Sequence, residues 1–174
     1  MHKSRKVYII GFMGSGKTTA GKKLAALLDW SFNDLDKRIE EQTGLTIPEI
    51  FSQHGEEYFR SLESNALKSL RSLKNIVIST GGGAPCHGDN MDFMLETGLT
   101  IYLKLTPDQL KSRLSESKDE RPLLKGLNND NLQGFIKEKL SFREKWYNLA
   151  DVTVDGLNLD INLLYSDIKF KLKS

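Results

Sequence analysis

The residues with the clearest chemical meaning form a short loop near the start of the sequence. Residues 11–18 read Gly-Phe-Met-Gly-Ser-Gly-Lys-Thr and match the pattern Gly-x-x-x-x-Gly-Lys-Ser/Thr at every specified position. The glycines permit positive φ angles, so backbone N–H groups can close around phosphate oxygens, and a helix beginning at Lys17 directs its N-terminal dipole at the same charge. We expect Lys17 to reach the β- and γ-phosphates and the Thr18 hydroxyl to ligate magnesium. The loop predicts nucleotide binding by Gly14, Ser15, Gly16, Lys17, Thr18 and Thr19.

Two aspartates lie at the end of the second predicted strand. Asp34 and Asp36 are two residues apart, at the edge of the sheet where parallel α/β folds bind ligands. One carboxylate could hold a magnesium-bound water, while the other could orient a substrate hydroxyl and accept its proton. The alternative is a solvated turn followed by a helix whose N-cap is Asp36. Because the phosphate-binding loop is present in the same chain, we favour the catalytic interpretation.

Three consecutive glycines follow the third predicted strand. Residues 81–83 would let a ligand approach the bare backbone closely, although a plain flexible turn is the alternative. Arg60 and Glu63 are three residues apart on one face of a predicted helix. By itself such a pair is more often found on the surface.

The elements that position these residues alternate regularly along the chain. Short β-prone runs alternate with segments of helical period, which predicts a parallel sheet covered by helices on both faces. We therefore expect one doubly wound α/β domain over residues 1–174, with a five-stranded parallel sheet. The predicted strands are Val7–Ile10, a run after Trp30 that ends near Asp34, Ile76–Ile78, Thr100–Leu105 and Val152–Val154. Two predicted helices begin at Lys17 and at Pro107. The other predicted helices run from Thr46 to Gly55, Glu56 to Leu73, Asp89 to Glu96, Asn131 to Leu149 and Leu159 to Leu172.

Composition limits the classes of partner. The chain has 25 Lys and Arg residues against 23 Asp and Glu residues, a net charge of +2, so no strong field favours nucleic acid or a membrane surface. The basic runs at residues 3–6 and 22–23 are short enough to be ordinary solvated surface. No apolar stretch approaches the roughly 18 residues of a membrane span, no secretion signal is recognisable, and the single cysteine, Cys86, suits a reducing compartment. We expect a cytoplasmic globular protein.

Together these blocks resemble the shikimate kinase family, in the nucleoside-monophosphate-kinase-like branch of P-loop folds. The phosphate-binding loop is generic, but the combination that accompanies it is specific, and the blocks follow the family's order from about Lys6 to Val154. They are Asp34-Leu35-Asp36, Ile50-Phe51 followed by Gly55-Glu56 and Phe59-Arg60, Glu63, Ser79 to Gly83, Arg121-Pro122-Leu123-Leu124, and Arg143 ahead of Tyr147 and Ala150-Asp151.

The resemblance implies transfer of the γ-phosphoryl group of ATP to the 3-hydroxyl of shikimate, with Mg²⁺ as cofactor. The products would be shikimate 3-phosphate and ADP, in chorismate and aromatic amino-acid biosynthesis. By the resemblance, Asp36 contacts the ring hydroxyls, Arg60 and Arg143 bind the carboxylate, and Gly82 and Gly83 add backbone contacts. It also implies a monomer, and the charge balance is the reason to expect no nucleic-acid or membrane partner.

The resemblance further implies a mobile lid over the nucleotide. The polar stretch around Arg121 would form this lid, at approximately residues 112–127, and Arg121 would reach the phosphates. Asp34 would help hold magnesium through water, and Arg113 lies near the position where a family arginine stacks on adenine. The catalytic residues implied are Lys17, Asp36 and Arg121, with Thr18 and Asp34 at the metal.

Three alternatives remain open at the level of sequence. Another small-molecule kinase of the same branch, such as a gluconate kinase, would keep the loop and the lid but has less use for two arginines beside three glycines. A nucleoside monophosphate kinase would phosphorylate AMP or a similar acceptor. A nucleotide-binding regulator without turnover is disfavoured because Lys17, Thr18, Asp34, Asp36 and Arg121 are all present.

Overall fold

The computed structural model describes residues 5–117 and 121–172. Its strands are β1 (Lys6–Ile10), β2 (Ser31–Asp34), β3 (Ile76–Ser79), β4 (Leu99–Lys104) and β5 (Val152–Asp155). Its helices are α1 (Lys17–Leu28), α2 (Leu35–Thr43), α3 (Ile47–Ser69), α4 (Asn90–Thr97), α5 (Pro107–Glu116), α6 (Asn129–Tyr147) and α7 (Ile161–Ile168). Short 3₁₀ turns occupy Ala84–Cys86 and Pro122–Leu124.

The five strands form one sheet in the order β2-β3-β1-β4-β5, and every pairing is parallel. Alternate residues of β1 face opposite layers of apolar side chains, because side chains alternate along a strand. Tyr8 and Ile10 join the layer that contains α3, α4, α5 and α6, while Val7 and Ile9 join the layer formed with α1 and α7. The predicted doubly wound sheet with helices on both faces is confirmed.

Local chemistry determines where the helices begin and where one is interrupted. Thr46 begins α3 with a capping box to Glu49, as the spacing predicted, and Gly55 breaks the helical conformation at φ 83°. α2 was not predicted, and Asp36 is not the N-cap that the disfavoured alternative assigned to it. Asp34 is the N-cap of α2, and its carboxylate accepts hydrogen bonds from the backbone N–H groups of Asp36 and Lys37 at 3.1 and 3.3 Å.

Lys6 departs from the expected solvated surface. It is the first residue of β1 and is fully buried. Its ammonium donates hydrogen bonds to the backbone carbonyls of Leu70 and Arg71, at 2.7 and 2.9 Å, just beyond the end of α3. The prediction for the basic run was wrong at this position because the lysine stabilises a helix end from inside the core.

The carboxyl ends of β1, β2 and β3 lie side by side at one edge of the sheet. The phosphate-binding loop follows β1, Asp34 ends β2, and the three glycines follow β3. This topology brings together the phosphate-binding loop, the two aspartates and the three glycines. Within the described part of the chain, no helix has the length and apolar character needed to span a bilayer.

Candidate active site

The phosphate-binding loop already has the conformation that its glycines permit. Gly14 and Gly16 adopt φ angles of 79° and 91°, which other residues adopt only with strain. Gly16 occupies the N-cap position of α1 without a side-chain cap, so the first N–H groups of the helix are open to an anion. The Lys17 ammonium donates to the carbonyls of Gly11 and Phe12, both at 2.9 Å, and so lies folded within the loop.

Lys17 carries a charge that its surroundings disfavour. Burial lowers the pKa of its ammonium to about 8, and the nearby carboxylate of Asp36 opposes this shift only in part. The side chain is still mostly cationic at pH 7. A bound polyphosphate would supply the negative charge that this buried cation needs.

A pair of oxygen ligands lies at the junction of α1 and β2. The Thr18 hydroxyl donates to the second carboxylate oxygen of Asp34 at 2.9 Å and lies 3.5 Å from the Ser79 hydroxyl. Mg²⁺ binds few protein oxygens and completes an octahedron with water and phosphate oxygens, so this pair fits it. Among the described residues, no group of three or more His, Cys, Asp or Glu side chains forms a metal cage.

Asp36 presents a free carboxylate oxygen beside the glycine loop. Its Oδ1 is buried and has no hydrogen-bond partner within residues 5–117 and 121–172. Burial and the neighbouring Asp34 raise the pKa of Asp36 to about 6. The group is therefore ionised at neutral pH and can accept a proton more readily than an ordinary aspartate.

Arg60 is fixed in place by two glutamates of its own helix. Its guanidinium pairs with Glu63 at 2.8 Å and with Glu56 at 3.3 Å. Glu63 is fully buried, and burial raises the pKa of its carboxyl to about 7, against the influence of Arg60. The spacing of this pair is by itself more common at the surface, but the structure encloses it beside the glycine loop, in the site to which the resemblance assigned Arg60.

Arg143 approaches the same place from α6. It is only 4% exposed, and its guanidinium lies over the Phe12 ring, 5.3 Å from the ring centre. Its NH1 atom is buried and has no hydrogen-bond partner in the described part of the chain. A buried cationic donor without an acceptor is unfavourable, so the arrangement calls for an anionic ligand.

The three glycines are required by space rather than by backbone angle. None of residues 81–83 has a positive φ. A Cβ on Gly81 would lie 2.7 Å from a carboxylate oxygen of Glu63, and one on Gly83 would overlap the Arg60 guanidinium. The loop therefore packs directly against the charged groups, which explains why a plain flexible turn is the poorer interpretation.

All these groups open into one cavity of about 680 Å³. Ser15 alone among the predicted site residues does not line it, because its side chain is buried (1% exposed) beneath the loop. The cavity brings together Gly14, Gly16, Lys17, Thr18, Thr19, Asp34, Asp36, Arg60, Gly82, Gly83, Arg113, Arg121 and Arg143. An apolar wall that the sequence analysis did not assign to the site comprises Met13, Ile47, Pro48, Phe51, Phe59, Pro122 and Leu123. Five of these residues, namely Met13, Phe51, Phe59, Pro122 and Leu123, lay within the motif blocks that carried the resemblance, but an apolar side chain by itself gave no reason to assign them to the site.

Two further arginines border the nucleotide end of the cavity. Arg113 donates to the backbone carbonyls of Gly14 and Ser15 and to that of Gly156, at 3.4, 3.0 and 3.3 Å. It thus joins the phosphate-binding loop to the segment after β5. Arg121 lines the cavity just after residues 118–120, the part of the predicted lid that lies outside the described residues.

Comparison with known proteins shows to which family the chain belongs. The family profile described as "Shikimate kinase" matches residues 13–166. A shikimate kinase of Parabacteroides distasonis is 45% identical over 152 residues, which cover 87% of this chain and 88% of the relative. The chain belongs to the shikimate kinase family. A second shikimate kinase, from Bacteroides thetaiotaomicron, is 46% identical over 155 residues, with 89% of each chain covered.

Solved structures agree with this family at the level of the whole chain. A crystal structure of shikimate kinase from Bacteroides thetaiotaomicron superposes with a TM-score of 0.88 at 40% identity, covering 97% of this chain and 98% of that one. Shikimate kinase from Acinetobacter baumannii, solved in complex with shikimate, gives a TM-score of 0.86 at 34% identity, covering 99% and 94%. A gluconokinase of Sinorhizobium meliloti shares the fold alone, at 14% identity and a TM-score of 0.58, covering 99% and 94%.

Proposed function

We propose that this member of the shikimate kinase family transfers the γ-phosphoryl group of ATP to the 3-hydroxyl of shikimate, giving shikimate 3-phosphate and ADP. The observation that carries the proposal is one cavity that joins a phosphate-binding loop to a carboxylate and two buried arginines. Shikimate offers groups of matching chemistry, namely hydroxyls for the carboxylate and an acid group for the arginines.

The acid end of shikimate would lie between Arg60 and Arg143. A guanidinium donates two parallel hydrogen bonds to a carboxylate, and it remains charged at every relevant pH. The unpaired NH1 of Arg143 supplies a free donor, while Glu63 keeps Arg60 oriented at 2.8 Å. Because Gly82 and Gly83 have no Cβ, the guanidinium groups of Arg143 and Arg60 lie directly against the glycine backbone, so an acid bound by them would lie beside that backbone.

The hydroxyl end would lie against Asp36. Its unpaired Oδ1 can accept the hydrogen bond of the attacking hydroxyl and so orient the oxygen toward the phosphate. Phosphoryl transfer proceeds through a loose transition state, so the proton leaves the hydroxyl late. A carboxyl with a pKa of about 6 is a suitable acceptor at that stage.

The transferred phosphoryl group needs neutralisation more than covalent help. Lys17 and the open N-terminus of α1 would bind the β- and γ-phosphates, and Arg121 would add positive charge from the lid. Thr18 and Asp34 would hold Mg²⁺, directly and through water. When bound, this ion neutralises phosphate charge and fixes the phosphate oxygens in place.

The proposal also covers the adenine contact, the oligomeric state, the cellular location and the partners of the enzyme. We assign Arg113 to the adenine end of the ATP site because it borders the cavity between the phosphate-binding loop and Gly156. We also propose that the enzyme acts as a monomer in the cytoplasm on small molecules, without nucleic acid or membrane. The net charge of +2 supports the absence of nucleic-acid and membrane partners, the single cysteine suits the cytoplasm, and the monomer rests on the family resemblance.

Coupled ADP release measured with ATP and magnesium, with and without shikimate, tests the reaction. We expect strong stimulation by shikimate, little by gluconate or AMP, and loss of turnover in Asp36→Asn. Turnover that gluconate or AMP stimulates and shikimate does not would replace the acceptor. ATP binding without turnover on any acceptor would reject a kinase.

A further inference from the structure

Tyr147 is a buried polar residue to which the proposed reaction gives no role. It is the last residue of α6 and is fully buried. Its hydroxyl donates a hydrogen bond to the carbonyl oxygen of Gly82, a residue 65 positions away in sequence. The bond thus joins the end of α6 to the glycine loop that borders the cavity.

The geometry of a peptide group makes this bond significant for the substrate. The Gly82 carbonyl and the Gly83 N–H belong to one planar trans peptide, so they point in opposite directions. Fixing the carbonyl on Tyr147 therefore fixes the direction of the Gly83 N–H. No backbone carbonyl of the described residues accepts a hydrogen bond from this N–H, and Gly83 lines the cavity.

We propose that Tyr147 is a positioning residue whose hydroxyl orients the peptide between Gly82 and Gly83, so that the Gly83 N–H donates a hydrogen bond to the bound substrate. The inference rests on the proposed function and deepens it, because shikimate is the acceptor of that hydrogen bond. Donation to the carbonyl also polarises the peptide, which strengthens its N–H as a donor.

The phenol is well suited to this task. Its ring packs against the Tyr102 ring, with 5.0 Å between the ring centres, so the hydroxyl has little freedom to move. Burial raises the pKa of the Tyr147 phenol, and the hydroxyl therefore remains a donor throughout the neutral range. Arg143 lies one turn earlier on the same helix, so one face of α6 reaches both the proposed acid site and the glycine loop.

Two tyrosine-to-phenylalanine substitutions test the Tyr147 hydroxyl, which interacts with Arg143 as well as with the Gly82 carbonyl. Tyr147→Phe removes the hydroxyl and keeps the ring. Tyr102→Phe is the matched control, since Tyr102 is also buried (1% exposed) and its hydroxyl has no hydrogen-bond partner in the described part of the chain. Both variants are compared with wild type in steady-state kinetics, in calorimetric titration with shikimate, and in urea denaturation.

The two variants should differ in their affinity for shikimate. We expect Tyr147→Phe to raise the KM and Kd for shikimate about 3- to 10-fold, the effect of one net hydrogen bond, while kcat and the KM for ATP stay within about twofold. Tyr102→Phe should leave all four values unchanged.

A Tyr147→Phe enzyme that is less stable but binds shikimate like wild type would overturn the inference, because the hydroxyl would then be merely structural. Equal shifts for shikimate and ATP would overturn it as well. A wild-type enzyme without shikimate-dependent turnover would reject the proposed function, and this inference with it, before either variant is compared.

Discussion

The guanidinium of Arg143 lies over the ring of Phe12, 5.3 Å from its centre, so a residue of the phosphate-binding loop supports an arginine of the proposed acid site. Phe12 is 1% exposed and cannot turn away without disturbing the core. A cation over an aromatic face is attracted by the ring quadrupole, most strongly where water is excluded. The nucleotide loop and the acid site are therefore in direct physical contact.

Phe12→Leu should weaken shikimate binding selectively. The change keeps an apolar side chain and removes the aromatic face, with a loss of about 0.5–2 kcal/mol of attraction to Arg143. We expect the KM for shikimate to rise about 2- to 30-fold, with a smaller change in the KM for ATP. Steady-state kinetics with each substrate varied in turn measures the difference.

A matched control exists elsewhere in the core. Phe93 is also buried and lies under the guanidinium of Arg71, 5.0 Å from the ring centre, but neither residue lines the cavity. Phe93→Leu should cost stability without changing either KM. If the two variants shift the KM for shikimate equally, the effect comes from core packing and the Phe12 contact has no special role.

The ionisation of Asp36 should be visible in the pH dependence of the reaction. Since burial and Asp34 raise its pKa to about 6, the carboxylate is present above that pH and is lost below it. We expect kcat/KM for shikimate to fall as pH decreases through about 6. In Asp36→Asn this limb should disappear and kcat should fall by about 10²–10⁴.

Glu63 provides the control for that assignment, because the pKa of its buried carboxyl is also raised, to about 7. Glu63→Gln should disturb Arg60 and raise the KM for shikimate while it retains the limb near pH 6. If the limb instead vanishes in Glu63→Gln and persists in Asp36→Asn, the proton acceptor has been assigned to the wrong residue.

The same carboxylate should make the unliganded protein less stable. A carboxyl whose pKa is higher in the folded state contributes stability at low pH, and that contribution is lost as pH rises through the folded-state value of about 6. Asp36→Asn should therefore raise the free energy of unfolding by about 1–3 kcal/mol at pH 8 and by less at pH 4.5. Urea denaturation at the two pH values tests this, and a variant that is less stable at pH 8 would contradict it.

Arg121 should act on the chemical step more than on shikimate binding. Its place on the cavity wall, beside the proposed phosphate site, suits a donor that neutralises charge in the transition state. We expect Arg121→Ala to lower kcat by about 10²–10³ and to change the KM for shikimate less than about threefold. Lys125→Ala, an exposed cation after the Pro122–Leu124 turn, is the control and should behave like wild type. A rise in the KM for shikimate alone would remove Arg121 from the phosphoryl site.

Sequence patterns could predict the fold and much of the site where the signal was local. The phosphate-binding loop is eight consecutive residues, and the break at Gly55 and the capping box at Thr46 are each defined within one turn. α2 was missed because only Leu35 and Ile39 are buried on it, so its apolar stripe is too thin to show a helical period. The contact between Tyr147 and Gly82 spans 65 residues and leaves no local pattern at all.

Lys6 shows the same limit and yields a prediction about stability. As one member of a short basic run it is indistinguishable from surface lysines, yet its ammonium donates to the carbonyls of Leu70 and Arg71 at the end of α3. Lys6→Met retains an apolar stem and leaves both buried carbonyls without this donor, so we expect a loss of about 1–3 kcal/mol of unfolding free energy. Lys22→Met, at an exposed position of α1, should change the unfolding free energy by less than about 0.5 kcal/mol.

Because Lys6 lies outside the cavity lining, the KM values of Lys6→Met should match wild type at a temperature where the variant is folded. Equal stability of the two variants in urea denaturation would show that the buried ammonium does not stabilise the end of α3.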